Sequence, residues 1–152
     1  MTTTGSATIV IDRPPLEVWS AIADITRMGE WSPECIAGRW KGDATAPVVG
    51  AEFEGDNIVS LGTFTLKRWT TTSAVTACEP GACFEFSVEG STTWRYSFVA
   101  AGAGTQVTES FSYEAKGLQG FVYGYVLARP RAMTKGMQRT LQRLKTVLEA
   151  TR

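Results

Sequence analysis

In "TQVTESFSYEA", residues 105–115, Val107, Phe111 and Tyr113 alternate along one face of an extended chain, and Glu109 shares that face with them. A carboxyl turned into an apolar interior has its pKa raised unless a cation pairs with it, and such a group can serve as acid, base or ligand anchor. Tyr96, between Trp94 and Phe98 in "TTWRYSFVAA", and Tyr113 add phenols that can donate or accept a proton. Glu109, Tyr96 and Tyr113 are therefore the candidate catalytic residues. Arg68 and Arg95 are the cations to consider as partners of Glu109; alternation from Trp69 and Trp94 puts both on the opposite face, and a bulge would reverse that. The plainer reading of Glu109 is an ordinary ion pair at the wet end of its strand.

Composition narrows the chemistry further. There is no histidine, which removes the usual general base, the usual orienter of a nucleophilic serine and the commonest metal ligand. The three cysteines, Cys35, Cys78 and Cys83, have no metal-ligand spacing, so neither a metal site nor a cofactor is expected. Their odd number fits a reducing compartment, although Cys78 and Cys83 flank the Pro-Gly turn of "CEPGAC" and could face each other across a hairpin. "GAGT" at 102–105 lacks the lysine of a phosphate loop and reads as a hairpin turn. The 152 residues, 43% of them hydrophobic, suit a single domain over 1–152. No apolar run approaches the roughly 20 residues needed to cross a bilayer, and "MTTTGSATIVIDR" has no basic segment followed by an apolar one, so a cytoplasmic protein is expected.

The elements that must position these side chains can be read in order. "SATIVIDR" is a strand closed by Pro14-Pro15, and "PLEVWSAIADI" is a short amphipathic helix with a proline start and Glu17 in its first turn. A second helical turn is expected near "TRMGEW". Six further strands follow, in "IAGRWKG", "GAEFEGDN", "TFTLKRWTTTSAVTA", "CFEFSVEG", "TTWRYSFVAA" and "TQVTESFSYEA". The short breaks among them predict an antiparallel meander. From about Gly117 the period becomes helical, with Val122, Val126, Met133, Met137, Leu141, Leu144 and Leu148 on one stripe. Pro130 should bend that helix after a looser half containing Gly120 and Gly124.

This order predicts an α+β helix-grip fold, a curved seven-stranded antiparallel sheet wrapped around a long C-terminal helix, with two short helices after the first strand. "IDRPPLEVWSAIADITRMGEWSPEC", with "LQRLKTVLEA" at the far end, resembles the polyketide cyclase/dehydrase and lipid transport family of the START-like, SRPBCC superfamily. The resemblance spans essentially the whole chain. It implies a cavity between sheet and helix, used by different members for lipids, sterols, polyketides or hormones, and it does not imply one reaction.

With such a cavity, the inward positions become candidate ligand contacts: Phe53, Trp69 and Phe86 from the first strands, Trp94 and Tyr96 from the next, and Glu109, Phe111 and Tyr113 from the last. Trp31, beside Pro33, would line or close the mouth, and Phe121 and Tyr125, four apart, would cover the pocket from the helix. Each has a plainer reading as core packing.

Two function classes compete. One is a binding protein for an apolar small molecule, which needs no catalyst. The other is an aromatase/cyclase or dehydratase, which the resemblance allows; dedicated cyclases of the family carry arginines inside the pocket, and alternation places none there in this chain. Charge bears on partners. Residues 1–115 carry 7 Lys/Arg and 14 Asp/Glu, whereas 116–152 carry 8 and 1. Arg131, Lys135, Arg139 and Arg143 recur every four residues as one basic ridge, suited to an acyl carrier protein or an anionic lipid surface and otherwise a solvated helix face. No nucleic-acid partner is expected, since no aromatics interleave with these cations.

Overall fold

The structure, a computed structural model, describes residues 2–114 and 129–150. Strand β1 (Thr2–Ile11) alternates exposed and covered residues until Pro14 and Pro15 end it. Pro15 occupies the first turn of helix α1 (Pro15–Ala23), where a missing N–H leaves no bond unmade. That helix buries Val18, Trp19, Ala21 and Ile22. Asp24 then caps a 3-10 segment, Ile25–Glu30, by accepting the Thr26 N–H at 3.1 Å. The segment lies so close to β2 (Cys35–Trp40) that a Cβ at Gly38 would fall 2.3 Å from the Ile25 carbonyl oxygen.

The remaining strands are β3 (Glu52–Leu61), β4 (Phe64–Glu79), β5 (Cys83–Val88), β6 (Thr92–Ala101) and β7 (Gly104–Glu114). They form one antiparallel sheet in the order β1-β7-β6-β5-β4-β3-β2. Consecutive strands are neighbours except β1, which crosses to pair with β7. The β5–β6 turn requires a positive φ at Glu89 (51°) as well as at Gly90 (68°). Two bonds to Thr72 hold Glu89 there: its N–H donates to the Thr72 carbonyl, and its carboxylate accepts the Thr72 N–H at 2.7 Å.

Two strands run well beyond their expected bounds: β1 begins at Thr2 and not at Ser6, and β3 passes its expected end. The strand read as "GAEFEGDN" ends at Asn57, yet β3 continues to Leu61 and reverses at Gly62, whose φ is 60°. Partners across the sheet explain this. Asp56 accepts from Arg39 and Thr70, and the Asn57 amide donates to Thr71 Oγ1 at 3.1 Å, so both polar side chains are satisfied within the ladder.

Helix α2 (Arg129–Ala150) lays Met133, Met137, Leu141, Leu144 and Leu148 against the inner face of the sheet. Pro130 is its second residue; the glycine-rich segment expected before it, with Phe121 and Tyr125, falls outside the described residues. Its C-terminal end is tied to the turn after β1: the Asp12 N–H donates to Glu149 Oε2 at 2.9 Å, Arg13 to the Glu149 carbonyl at 3.0 Å, and Lys145 to the Val10 carbonyl at 2.9 Å. Towards its N-terminal end it approaches β1 at Gly5, where a Cβ would lie 2.6 Å from the Phe111 ring and 3.2 Å from Thr134 Oγ1.

Candidate functional site

Strand register builds the inner face as transverse rows. Ala7, Glu109, Tyr96 and Phe84 face one another across β1, β7, β6 and β5. One step towards the β5–β6 turn runs the row Gly5, Phe111, Trp94, Phe86, Val75, and beyond it the row Tyr113, Thr92, Val88, Ser73, Phe53, Trp40. On the other side of Glu109 the row is aliphatic and aromatic only: Ile9, Val107, Phe98. Glu109 thus stands between the Ile9–Val107–Phe98 row and the row of Phe111 and Trp94.

This placement decides its chemistry. Glu109 is 4% exposed, and its Oε1 accepts the Tyr96 hydroxyl at 2.7 Å. Among the described residues its Oε2 is buried with no hydrogen-bond partner. Burial pushes the Glu109 carboxyl up to about 8, against the smaller, opposite effect of the Tyr96 hydrogen bond. The Tyr96 phenol is raised well above its usual value, first by burial and then by the charge of Glu109. At neutral pH the carboxyl is mainly protonated. Oε2 is the atom the pair leaves unspent, an O–H donor with the proton on it and a carbonyl acceptor with the proton on Oε1.

Among the described residues no cation reaches Glu109. Arg95, considered as its partner, lies on the outer face and pairs with Glu85 at 3.0 Å, since the β5–β6 and β6–β7 registers run without a bulge. Arg68 sits in the projecting β3–β4 hairpin, where it pairs across the ladder with Ile58.

The aromatic candidates divide by location. Phe111 stacks on Tyr113 at 5.9 Å and with it, Met133 and Met137 forms a second cluster, which Trp94, 5.6 Å from Phe111, joins to the main core. Phe53 and Phe86 meet edge-on at 5.2 Å within the main cluster, with Trp40 against Phe53. Trp31 is also in that cluster, 3% exposed, with the Arg27 guanidinium 5.1 Å above its ring. Trp69 stands apart, half-buried at the base of the hairpin with Lys67 5.4 Å from its ring centroid. Phe121 and Tyr125 lie outside the described residues. Met133 and Met137 lie on a helical stripe visible in the sequence, but a stripe at that spacing does not say which strand residues it will cover, so neither is a sequence-derived contact.

The cysteines are free thiols, and Cys83 pairs across the ladder with Glu79, not with Cys78. On the opposite, outer face a groove of about 420 Å³ is walled by hydroxyls, among them Thr4, Ser6, Thr93, Ser110 and Ser112, with Arg95 in it. Its one cation is already paired with Glu85, and Glu109 does not line it. Among the described residues no cluster of His, Cys, Asp or Glu could hold a metal ion, and no helix is long and apolar enough to cross a membrane.

A curved seven-stranded antiparallel sheet packed on a long C-terminal helix defines a helix-grip protein. The chain belongs to the polyketide cyclase/dehydrase and lipid transport family, which matches it over residues 2–149. A polyketide-cyclase-like protein of Corynebacterium glutamicum is 34% identical, with 98% of this chain and 93% of that one covered and a TM-score of 0.70. Two structures share the fold at 16% identity: the KanY protein (98% of this chain, 99% of that one, TM-score 0.73) and a protein of the dynemicin biosynthetic locus (96% and 47%, TM-score 0.64). No curated protein matches the chain in sequence.

Proposed function

We propose that the protein binds an apolar small molecule between the inner face of the sheet and α2, with the Glu109–Tyr96 pair as its polar anchor. The observation that carries this is Glu109 Oε2, a buried polar atom without a partner among the described residues. Leaving such an atom unpaired costs about 1–3 kcal/mol, and folds keep that penalty where another molecule can remove it. An O–H directed from an apolar aromatic face suits a ligand carbonyl or hydroxyl on a largely hydrocarbon or aromatic frame. Trp94, Phe111 and Tyr113 would supply the contact area.

A second reading draws on the same proton. Protonated Glu109 could share its proton with the carbonyl oxygen of a poly-β-ketone, with orientation by the aromatic walls supplying much of the acceleration, as a cyclase or dehydratase requires. Family membership supports this reading as much as the first. A tethered chain would then be delivered by an acidic carrier protein to the α2 ridge, on which Lys135, Arg139 and Arg143 are exposed; the side chain of Arg131 lies outside the described residues.

Native mass spectrometry of protein purified from its own host, followed by tryptophan fluorescence titration of the released molecule, tests the reading. A stoichiometric apolar ligand recovered unchanged supports carriage, and one recovered with altered mass supports the enzyme. Tyr96→Phe leaves both carboxyl oxygens unpaired and should weaken binding about tenfold or more. An empty protein whose fluorescence ignores fatty acids, sterols and aromatic polyketides would end the proposal.

A further inference from the structure

The exposed hydrophobic residues are unevenly placed. Of ten large ones among the described residues, Val59, Leu61, Phe64 and Leu66 fall in one hairpin, and Leu61, Phe64 and Leu66 are 71%, 76% and 64% exposed. Scattered exposed side chains need no explanation, but four within one short ribbon do.

The ribbon projects. The edge strand β2 pairs with β3 as far as Asn57, the Ile58 N–H still donates to the Glu34 carbonyl at 2.9 Å, and β5 leaves β4 at Ser73, so among the described residues β3 and β4 pair only with each other from Val59 and Lys67 outward. Lys67 to Phe64 is three residues, about 10 Å at the usual strand rise. Along that length the side chains are graded: Leu61 and Phe64 at the tip, Leu66 behind them, then Lys67 and Arg68, then Trp69. Between Asn57 and Trp69 there is no Asp or Glu. An acidic side chain appears only at Asp56, which is bound to Arg39 and Thr70.

We infer that this hairpin is a membrane contact: its apolar tip enters the headgroup–acyl boundary of an anionic bilayer while Lys67 and Arg68 meet the phosphates and Trp69 lies at the interface. Each layer has its counterpart in the order of the chain. The boundary is about 5–10 Å deep, so a ribbon of this length submerges its tip and leaves its cations at headgroup level. Tryptophan prefers that level, and each nearby Lys or Arg is attracted by anionic lipid. The contact does not depend on what the interior holds. Strand register nevertheless puts the tip at the same end of the sheet as Tyr113 and the start of α2, so a membrane-bound protein would present that end of its interior to lipid.

The test is co-sedimentation of the full chain with vesicles of phosphatidylcholine alone and of phosphatidylcholine and phosphatidylglycerol in equal parts. Binding should be stronger to the mixed vesicles and weaken with salt. Phe64→Asp should lower it about tenfold or more, and Lys67→Gln and Arg68→Gln about fivefold each on mixed vesicles. The four side chains at the tip cover no core, so circular dichroism should be unchanged. Three results would overturn the inference: no sedimentation with either vesicle, binding indifferent to Phe64→Asp, or binding abolished by replacing Lys135, Arg139 and Arg143 while the hairpin variants bind normally. A concentration-dependent mass in light scattering that Phe64→Asp removes, without vesicle binding, would make the hairpin a self-association surface instead.

Discussion

The two ends of the inner face are built differently. At the end near Asp12, Ile11, Val18, Ile22, Val107, Leu144 and Leu148 fill the space between sheet and helix, and Glu149, Lys145 and Arg13 fasten the helix terminus to β1. At the other end the wall is Trp94, Phe111 and Tyr113 under two methionines, with Gly5 opposite, and Glu109 and Tyr96 lie at the border. Branched aliphatics of few rotamers make a rigid plug, whereas flat rings and unbranched thioethers can repack around a guest. One end holds the fold together, and the other is the end at which a ligand could be admitted.

Breaking the plug should have the largest effect. Leu144 is fully buried, and Leu144→Ala should lower stability by about 2–5 kcal/mol in urea unfolding, with little change in ligand binding. Met133→Ala, at the other end, should cost less, since neighbours there can close on the gap; an equal cost would erase the distinction between the ends.

Next comes the border residue. The Glu109 carboxyl titrates at about 8 in the fold and near 4.5 when exposed, so the folded state retains a proton that the unfolded chain has released. Stability should therefore fall as pH rises from about 4.5 to about 8 and level off above, by a few kcal/mol at about 1.4 per unit. Glu109→Gln should abolish that slope and be the more stable protein above pH 8, as thermal unfolding across pH would reveal. A slope that survives the substitution would assign it to other groups.

The smallest effect is expected at the clasp. Glu149→Gln keeps an acceptor for the Asp12 N–H but removes the charge facing Lys145, so Tm should drop slightly at low salt and be indistinguishable at high salt.

Much of the border was legible beforehand. Alternation alone turns Glu109 and Tyr96 inward and Arg95 outward, and once "AGAG" is a tight turn, counting back along both strands sets Tyr96 opposite Glu109. The hairpin was legible only in part: the alternation of "GAEFEGDN" stops at Asn57, and the cross-strand partners Arg39, Thr70 and Thr71 satisfy Asp56 and Asn57 within the ladder as β3 runs on to its apolar tip. Trp31 was equally ambiguous, because a tryptophan beside a proline turn suits a rim or a core, and the close seating of the 3-10 segment on β2 at Gly38 decides for burial.

What the chain determined by itself is therefore what depends on neighbours within a strand, helix or turn: element order, which side chains share a face, and the absence of histidine chemistry. Tertiary structure decided what depends on groups far apart in the chain. Among the described residues no cation reaches Glu109, since register sets Arg95 on the outer face beside Glu85, and Oε2 is left without a partner while Tyr96 bonds Oε1. Whether a carboxyl is charged follows from its desolvation and its partners, and both are properties of the packed molecule.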